Sequence, residues 1–312
     1  MTGVNCFSIL LSFKDFRITS GPIPLISPTD MPMIGFCFFL VDSPIADYFY
    51  QNRTRIQHNK LASVKPKKHL GQHFLVDFNI ARKIVAAVTA ADDESVLEVG
   101  PGTGVLTDLL LERYANFKAF DVDQESIAFL SEKYPEHADK FFIVDYLKHE
   151  LNAHQVTIVG NFPYNISSQL FFKIWDDRSR VDEVVCMIQK EVADRICALH
   201  GNKTYGILSV LLQAFFDIEY LFKVPPGVFN PPPKVQSAVI RLKRNQVEKL
   251  ECDEELFKKV VKAGFGQRRK TLRNALKGLN LSGLEGNEEV LGKRAEQLSV
   301  DDFIELTSKI IL

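Results

Sequence analysis

From residue 95 onward, short apolar runs alternate with stretches in which apolar residues recur every three or four positions. The runs lie at 95–99, 117–121, 141–144, 157–160 and 183–189, and the amphipathic stretches at 105–114, 124–134 and 167–175. Short apolar runs read as buried strands and the longer period as helices, so the pattern predicts a parallel, doubly wound α/β sheet. Two further β-rich runs, 218–224 and 237–242, flank a proline-rich loop at 225–233 and are expected to pair antiparallel at the sheet edge. After about Arg244 the pattern is helical only, at 254–265, 270–279 and 300–311. The expected organisation is an α/β domain over 61–244 and a small α-helical domain over 245–312.

Residues 1–60 read differently. Gly21-Pro22-Ile23-Pro24, Ser27-Pro28, Met31-Pro32 and Ser43-Pro44 punctuate short apolar pieces that settle into neither period. No fold is assigned to them. They read as a poorly ordered extension or as sequence translated upstream of the true start, and the second reading is preferred.

Composition narrows the class. Of 312 residues, 46% are hydrophobic and 25% charged, which excludes a disordered chain, a collagen-like repeat and a coiled-coil rod. The apolar runs at 6–13 and 34–41 are too short to span a bilayer. Cys6, Cys37, Cys186, Cys197 and Cys252 form no C-x-x-C pair, so neither a disulfide framework nor a metal site is expected, and a cytoplasmic location fits. The formal net charge of −1 gives no hint of nucleic acid, but it hides segregation. Between Asp47 and Asp77 there is no acid, while Arg53, Arg55, Lys60, Lys65, Lys67 and Lys68 are basic. Between Glu255 and Glu285 the acids vanish again around Lys258, Lys259, Lys262, Arg268, Arg269, Lys270, Arg273 and Lys277. Two such arms suit phosphate binding, with a solvated basic helix face as the alternative.

The candidate chemistry begins at Glu98-Val99-Gly100-Pro101-Gly102-Thr103-Gly104, a strand running into a G-x-G-x-G turn that opens a helix. Glycines at Gly100 and Gly102 let the backbone pass close to a ligand. A dinucleotide site uses G-x-G-x-x-G and sets a pyrophosphate on the helix N-terminus. Here the third glycine comes one residue early, and Glu98 beside the turn would repel phosphate. A ligand with positive charge and no phosphate, such as S-adenosyl-L-methionine, suits it better; a plain tight βα turn is the alternative. Asp121 ends the second strand about 20 residues on, where such folds place a ribose hydroxyl acceptor. Asp145, after the third strand, could accept from an adenine amino group. Asp123 reads as the N-cap of the helix at 124–134.

Asn161-Phe162-Pro163-Tyr164 follows the fourth strand. The exocyclic amine of a nucleobase is a poor nucleophile because its lone pair is delocalised into the ring. An enzyme must therefore hold it in line with the donor and offer acceptors to its hydrogens. The Asn161 side-chain oxygen and a backbone carbonyl stiffened by Pro163 can do so, and Tyr164 offers a face for an extruded base. The alternative is an ordinary proline-containing turn.

With these motifs the sequence resembles the ribosomal RNA adenine dimethyltransferase family, closest to its small-subunit branch, whose loss confers kasugamycin resistance in bacteria. The resemblance is carried by KPKKHLGQHFL (65–75), LEVGPGTGVLT (97–107), GNFPYNISSQL (160–170), MIQKEVADRI (187–196), PPGVFNPPPKVQSAV (225–239) and FGQRRKTLRNAL (265–276). It implies a Rossmann-like methyltransferase sheet with a C-terminal helical RNA-binding domain and S-adenosyl-L-methionine as donor. It further implies N6,N6-dimethylation of two adjacent adenosines in the 3′-terminal hairpin loop of 16S rRNA, in the assembling 30S subunit, by a monomer. By the matching motifs, His73, Leu75 and Gly100 would touch the cofactor. Asp121 would take its ribose and Asp145 its adenine, and Asn161 would bridge cofactor and target amine. The family commonly has Asn where this chain has His73. Some members carry an aromatic residue at the position of Cys186 as a second stacking face; its absence leaves Tyr164 as the stacker. Residues 1 to about 58 have no counterpart in the family.

Two other readings stay open on sequence. One is the sister branch that methylates large-subunit rRNA, against which the 229–235 loop and the long helical tail argue. The other is a non-catalytic small-subunit assembly factor, against which the intact Asn161, Pro163 and Tyr164 argue.

Overall fold

The computed structural model describes residues 64–152, 155–279 and 286–310. The expectations for residues 1–60, including Arg53, Arg55 and Lys60 of the first basic arm, lie outside the described residues.

Five strands run parallel: β2 (Ser95–Val99), β3 (Phe117–Asp121), β4 (Phe141–Ile143), β5 (Val156–Asn161) and β6 (Val181–Gln189). With β7 (Phe216–Val224) and β9 (Ser237–Arg244) they form a seven-stranded sheet in the order β4-β3-β2-β5-β6-β9-β7. β9 pairs antiparallel with both β6 and β7, as the flanks of the proline-rich loop suggested. A second, two-stranded sheet joins β1 (Phe74–Leu75) to β8 (Phe229–Asn230).

The sheet is covered on both faces, which is why its central strands read as unbroken apolar runs. On one face Phe117, Ala119, Val159 and Met187 pack under α1 (Phe78–Ala86), α2 (Val105–Arg113) and α3 (Gln124–Lys133). On the other, Leu97, Phe120, Ile158 and Val184 share a core with α4 (Ser167–Asp176) and α6 (Ile207–Gln213). Between these two in the chain lies α5 (Lys190–Cys197), which follows β6 directly.

The late helices α7 (Glu254–Gly266), α8 (Leu272–Ala275), α9 (Glu288–Gly292) and α10 (Val300–Ser308) belong to this second core, where Phe257, Leu272 and Phe303 join Trp175. All described residues fall in one compact unit. The helix expected over 270–279 is far shorter, because the chain turns after Leu276, with Leu279 N–H donating to the Leu276 carbonyl at 2.8 Å.

Candidate active site

The carboxyl ends of β2, β3 and β5 open onto one edge of the sheet, where ligands bind in folds of this type. Backbone geometry there depends on two glycines. Gly102 has φ +57°, and a Cβ on it would stand 2.8 Å from the Phe74 ring. Gly160 has ordinary dihedrals, but its Cβ would lie 2.4 Å from the Val99 carbonyl, so no larger residue lets β2 and β5 approach this closely.

A cleft of about 230 Å³ follows, lined by Gly100, Gly102, Asp121, Asp145, Asn161 and Tyr164 among others. Pro163 and His73 also line it, whereas Glu98 and Leu75 line a small recess of about 20 Å³ behind the glycine turn. The residues singled out for the cofactor and for catalysis therefore gather at one edge.

Their electrostatics are set by burial. Glu98 is 1% exposed and its Oε2 accepts from Thr107 Oγ1 at 2.7 Å. Desolvation pushes its carboxyl up to about 8 despite that bond. From sequence Glu98 reads as an anion; buried here, it is mostly the neutral acid at pH 7, and a cation brought beside it would draw its proton off. Asp121 is pushed up to about 6, again chiefly by burial, while backbone N–H groups, that of Asp123 at 2.9 Å among them, partly offset the shift. No cation pairs with Asp121 among the described residues. Asp145 is more open, accepting from Leu147 N–H at 3.1 Å and facing Lys148 at 3.2 Å. Between the two acids Val122 lines the cleft with 49% of its surface exposed.

Asn161 is oriented rather than loose. Its Nδ2 donates to the His73 carbonyl at 2.8 Å, which leaves Oδ1 as the acceptor free of that bond. Phe162 is buried and its N–H bonds the Met187 carbonyl at 3.0 Å, pinning the loop to β6. The Tyr164 hydroxyl meets Ser237 Oγ at 2.5 Å, and its ring lies 5.2 Å from that of His73 at an interplanar angle of 30°. His73 Nδ1 in turn donates to the Pro231 carbonyl at 2.8 Å. An amide oxygen beside an anchored aromatic ring, at the edge of a cleft with buried acids, suits a base amine brought to an adenosyl donor.

The ribosomal RNA adenine dimethylase family matches residues 63–310. The chain belongs to that family. It is 54% identical over 255 residues to ribosomal RNA small subunit methyltransferase A of Cytophaga hutchinsonii, covering 80% of this chain and 99% of that protein. It is 51% identical over 252 residues to the Bacteroides fragilis protein of the same name, covering 79% and 93%. Among solved structures it resembles a dimethyladenosine transferase from Plasmodium falciparum, at TM-score 0.66 and 26% identity over 75% of this chain and 96% of that one. It also resembles the 23S rRNA methyltransferase ErmE, at TM-score 0.58 and 25% identity over 75% and 99%.

In this adenine dimethylase the basic residues differ in what they have free. Lys65 and Lys68 are exposed. Lys67, read from sequence as a phosphate contact, instead pairs with Asp123 at 2.6 Å and Glu125 at 3.2 Å. The Arg268 guanidinium donates to the Lys203 and Tyr205 carbonyls, and Arg273 pairs with Glu288. Arg269 and Lys270 are exposed, with no ion pair among the described residues. Cys186 is wholly buried in β6, so its position offers the cleft no stacking face. Among the described residues no group of His, Cys, Asp and Glu could hold a metal, and no helix is long and apolar enough to cross a membrane.

Gln72, Phe74 and Ser237 are site residues that a reading of the sequence misses. Each acts on the site through a partner distant in the chain, so only a helix-cap signal at Asp123 was there to be read, and Asp123 does cap α3, accepting from Glu125 N–H at 3.0 Å.

Proposed function

We propose that this protein transfers methyl groups from S-adenosyl-L-methionine to N6 of two adjacent adenosines in the 3′-terminal hairpin loop of 16S rRNA, acting on the assembling 30S subunit in the cytoplasm. The observation that carries the chemistry is Asn161, its amide held by the His73 carbonyl and its oxygen left to accept, next to Tyr164. The relatives' shared name supports the small subunit over the large one.

The residues fit the cofactor. Gly100 and Gly102 leave backbone at the turn, Asp121 is a buried carboxylate without a cation, and exposed Val122 offers an apolar face for a purine. Asp121 would hold the ribose hydroxyls, Asp145 the adenine amine, and Glu98 the cationic end. When bound, S-adenosyl-L-methionine supplies a methyl group already activated by its sulfonium, so no metal or strong base is needed. Asn161 Oδ1 accepts one N6 hydrogen and turns the amine lone pair toward the donor. Tyr164, fixed by Ser237, stacks the base and shields the reacting nitrogen from water. The N6 proton leaves along the hydrogen bond to Asn161 Oδ1 and passes to solvent, since an amide is too weak a base to keep it.

Radiolabelled methyl transfer to immature small subunits, with mass mapping of dimethyladenosine, tests this. Label is expected in two adjacent adenosines of 16S rRNA. Asn161→Ala should abolish it while leaving RNA affinity nearly intact. Label in 23S rRNA, or undiminished transfer by Asn161→Ala, overturns the reading.

A further inference from the structure

The segment 67–75 crosses the mouth of the cleft as a strap, and it carries three parts of the site: the His73 carbonyl that orients Asn161, the Phe74 ring against Gly102, and Leu75 in the recess. Its downstream half is held by the two-residue β1–β8 pairing, the Val76 N–H bond to the Val228 carbonyl, the contacts of His73 with Pro231 and Asn161, and the burial of Phe74 and Leu75. A two-residue ladder is marginal by itself. Apart from a long bond of 3.4 Å from Asn165 Nδ2 to the His69 carbonyl and an exposed pairing of Lys67 with Glu125 at 3.2 Å, the upstream half is held chiefly by one buried carboxylate. Asp123 Oδ1 accepts from Lys67 Nζ at 2.6 Å, and Oδ2 from Gln72 Nε2 at 2.9 Å, while Gln72 Oε1 accepts from the Lys67 N–H at 2.9 Å. The Asp123 side chain is fully enclosed.

Capping α3 does not require this. The bond to Glu125 N–H serves the helix, and Ser or Asn could make it. The other two bonds reach back 56 and 51 residues to the strap. Asp123 also donates its own N–H to Asp121 Oδ1 at 2.9 Å, so one residue joins the strap, the first turn of α3 and the acid read as the ribose acceptor. Burial alone would raise the Asp123 carboxyl, but the bonds from Lys67 and Gln72, together with the Glu125 N–H and the Lys67 charge, outweigh it and hold the group below the ordinary carboxylate value.

We propose that Asp123, through Lys67 and Gln72, is the anchor that keeps the strap closed over the cleft, and so is a positioning residue that sets cofactor affinity. The affinity part rests on the reading that the cleft takes S-adenosyl-L-methionine; the closure of the strap does not. Releasing the anchor would let Phe74 lift from Gly102 and take the His73 carbonyl away from Asn161. It also follows that Lys67, though it stands in a basic arm, works inward on Asp123 and not outward on phosphate.

The test uses the full chain with Asp123→Ser, which keeps a helix cap but cannot reach both partners, and Lys67→Ala, which leaves the cap untouched. Three quantities are read: hydrogen–deuterium exchange over 67–76 without ligand, the Kd for S-adenosyl-L-methionine by calorimetry, and Tm. Both variants should exchange faster in the strap and bind about tenfold more weakly, the scale of one charge-assisted hydrogen bond. Lys67→Ala should also lower Tm modestly, because it takes a charged partner from the enclosed Asp123 carboxylate. Exchange in the strap is therefore compared with exchange in the central strands, which separates release of the strap from general loosening. The double variant should lose less than the sum of the two single losses, because both remove the Lys67–Asp123 contact. Unchanged strap exchange in Asp123→Ser and Lys67→Ala, or additive losses in the double variant, overturns the anchor. If the parent protein binds no S-adenosyl-L-methionine, the cofactor reading fails instead, and the exchange measurement still decides the anchor.

Discussion

Replacing Glu98 by glutamine should change how stability depends on pH more than it changes stability itself. Burial at 1% exposure lifts the Glu98 carboxyl from 4.5 to about 8. The folded state therefore holds this proton across a window in which the unfolded chain has already lost it. Stability contributed by the neutral acid is fully present below about pH 4.5 and is lost as pH rises toward 8, the reverse of an ion-paired carboxylate. Each pH unit in that window is worth about 1.4 kcal/mol, so the ceiling over the whole window is about 5 kcal/mol. The amide introduced by Glu98→Gln would not titrate, and its oxygen can still accept from Thr107 Oγ1. The neighbours Asp108, Asp121 and Lys133 are common to both proteins, so the difference between them isolates Glu98. Urea titrations between about pH 5 and about pH 9 should give near-equal stabilities at the acid end, with Glu98→Gln gaining steadily toward the alkaline end. A difference that stays flat across the range would refute the claim that the carboxyl is neutral and buried in the native protein.

Three other outcomes follow from the same site. Asp121, raised to about 6, is expected to serve best as a hydroxyl acceptor when ionised, so the Kd for S-adenosyl-L-methionine by calorimetry should rise as pH falls through about 6, and Asp121→Asn should flatten that rise. Tyr164→Phe removes only the bond to Ser237 Oγ and should retain most methyl transfer, whereas Tyr164→Ala loses the stacking face and should cut it by about fivefold to a hundredfold in a radiolabel assay, since base stacking on an aromatic ring is worth about 1–3 kcal/mol. Charge reversal at Arg269 and Lys270, which are exposed, should weaken rRNA binding and lower the slope of log affinity against log salt in a filter-binding titration, while Arg268→Glu should also lower Tm because its guanidinium holds the Lys203 and Tyr205 carbonyls.

Those parts of the fold were legible in the sequence whose burial is two-sided or whose faces are clearly split. Val184, Val185, Cys186, Met187 and Ile188 form an unbroken apolar run because helices cover both sides of β6. Four helices were not legible for local reasons, the shortest of them, Glu288–Gly292, because five residues are too few to show a period. Ile207–Gln213 is buried nearly all round, so seven apolar-rich residues show no period that separates helix from strand. Lys190–Cys197 follows β6 with no break in the chain. Phe78–Ala86 opens on a clear cap, with Asp77 Oδ1 accepting from Asn79 and Ile80 N–H, but it lies ahead of the alternation that organised the rest.

The site divides along a different line. Residues brought to the cleft or its recess by their own position at a strand end, such as Glu98, Gly100, Asp121 and Asn161, can be placed from local motifs. Residues whose role is a partner elsewhere cannot. Lys67 belongs by sequence to a basic arm, and charge counting assigns it to phosphate; only the fold brings it to Asp123, 56 residues on. Glu98 is the converse case: its motif places it beside the glycine turn, but burial in the fold raises its carboxyl, in a recess that Phe74 and Leu75 also line. Both corrections come from contacts between distant parts of the chain, which decide whether a cation near the surface is available and how deeply an acid is buried, and neither follows from the order of residues along the chain.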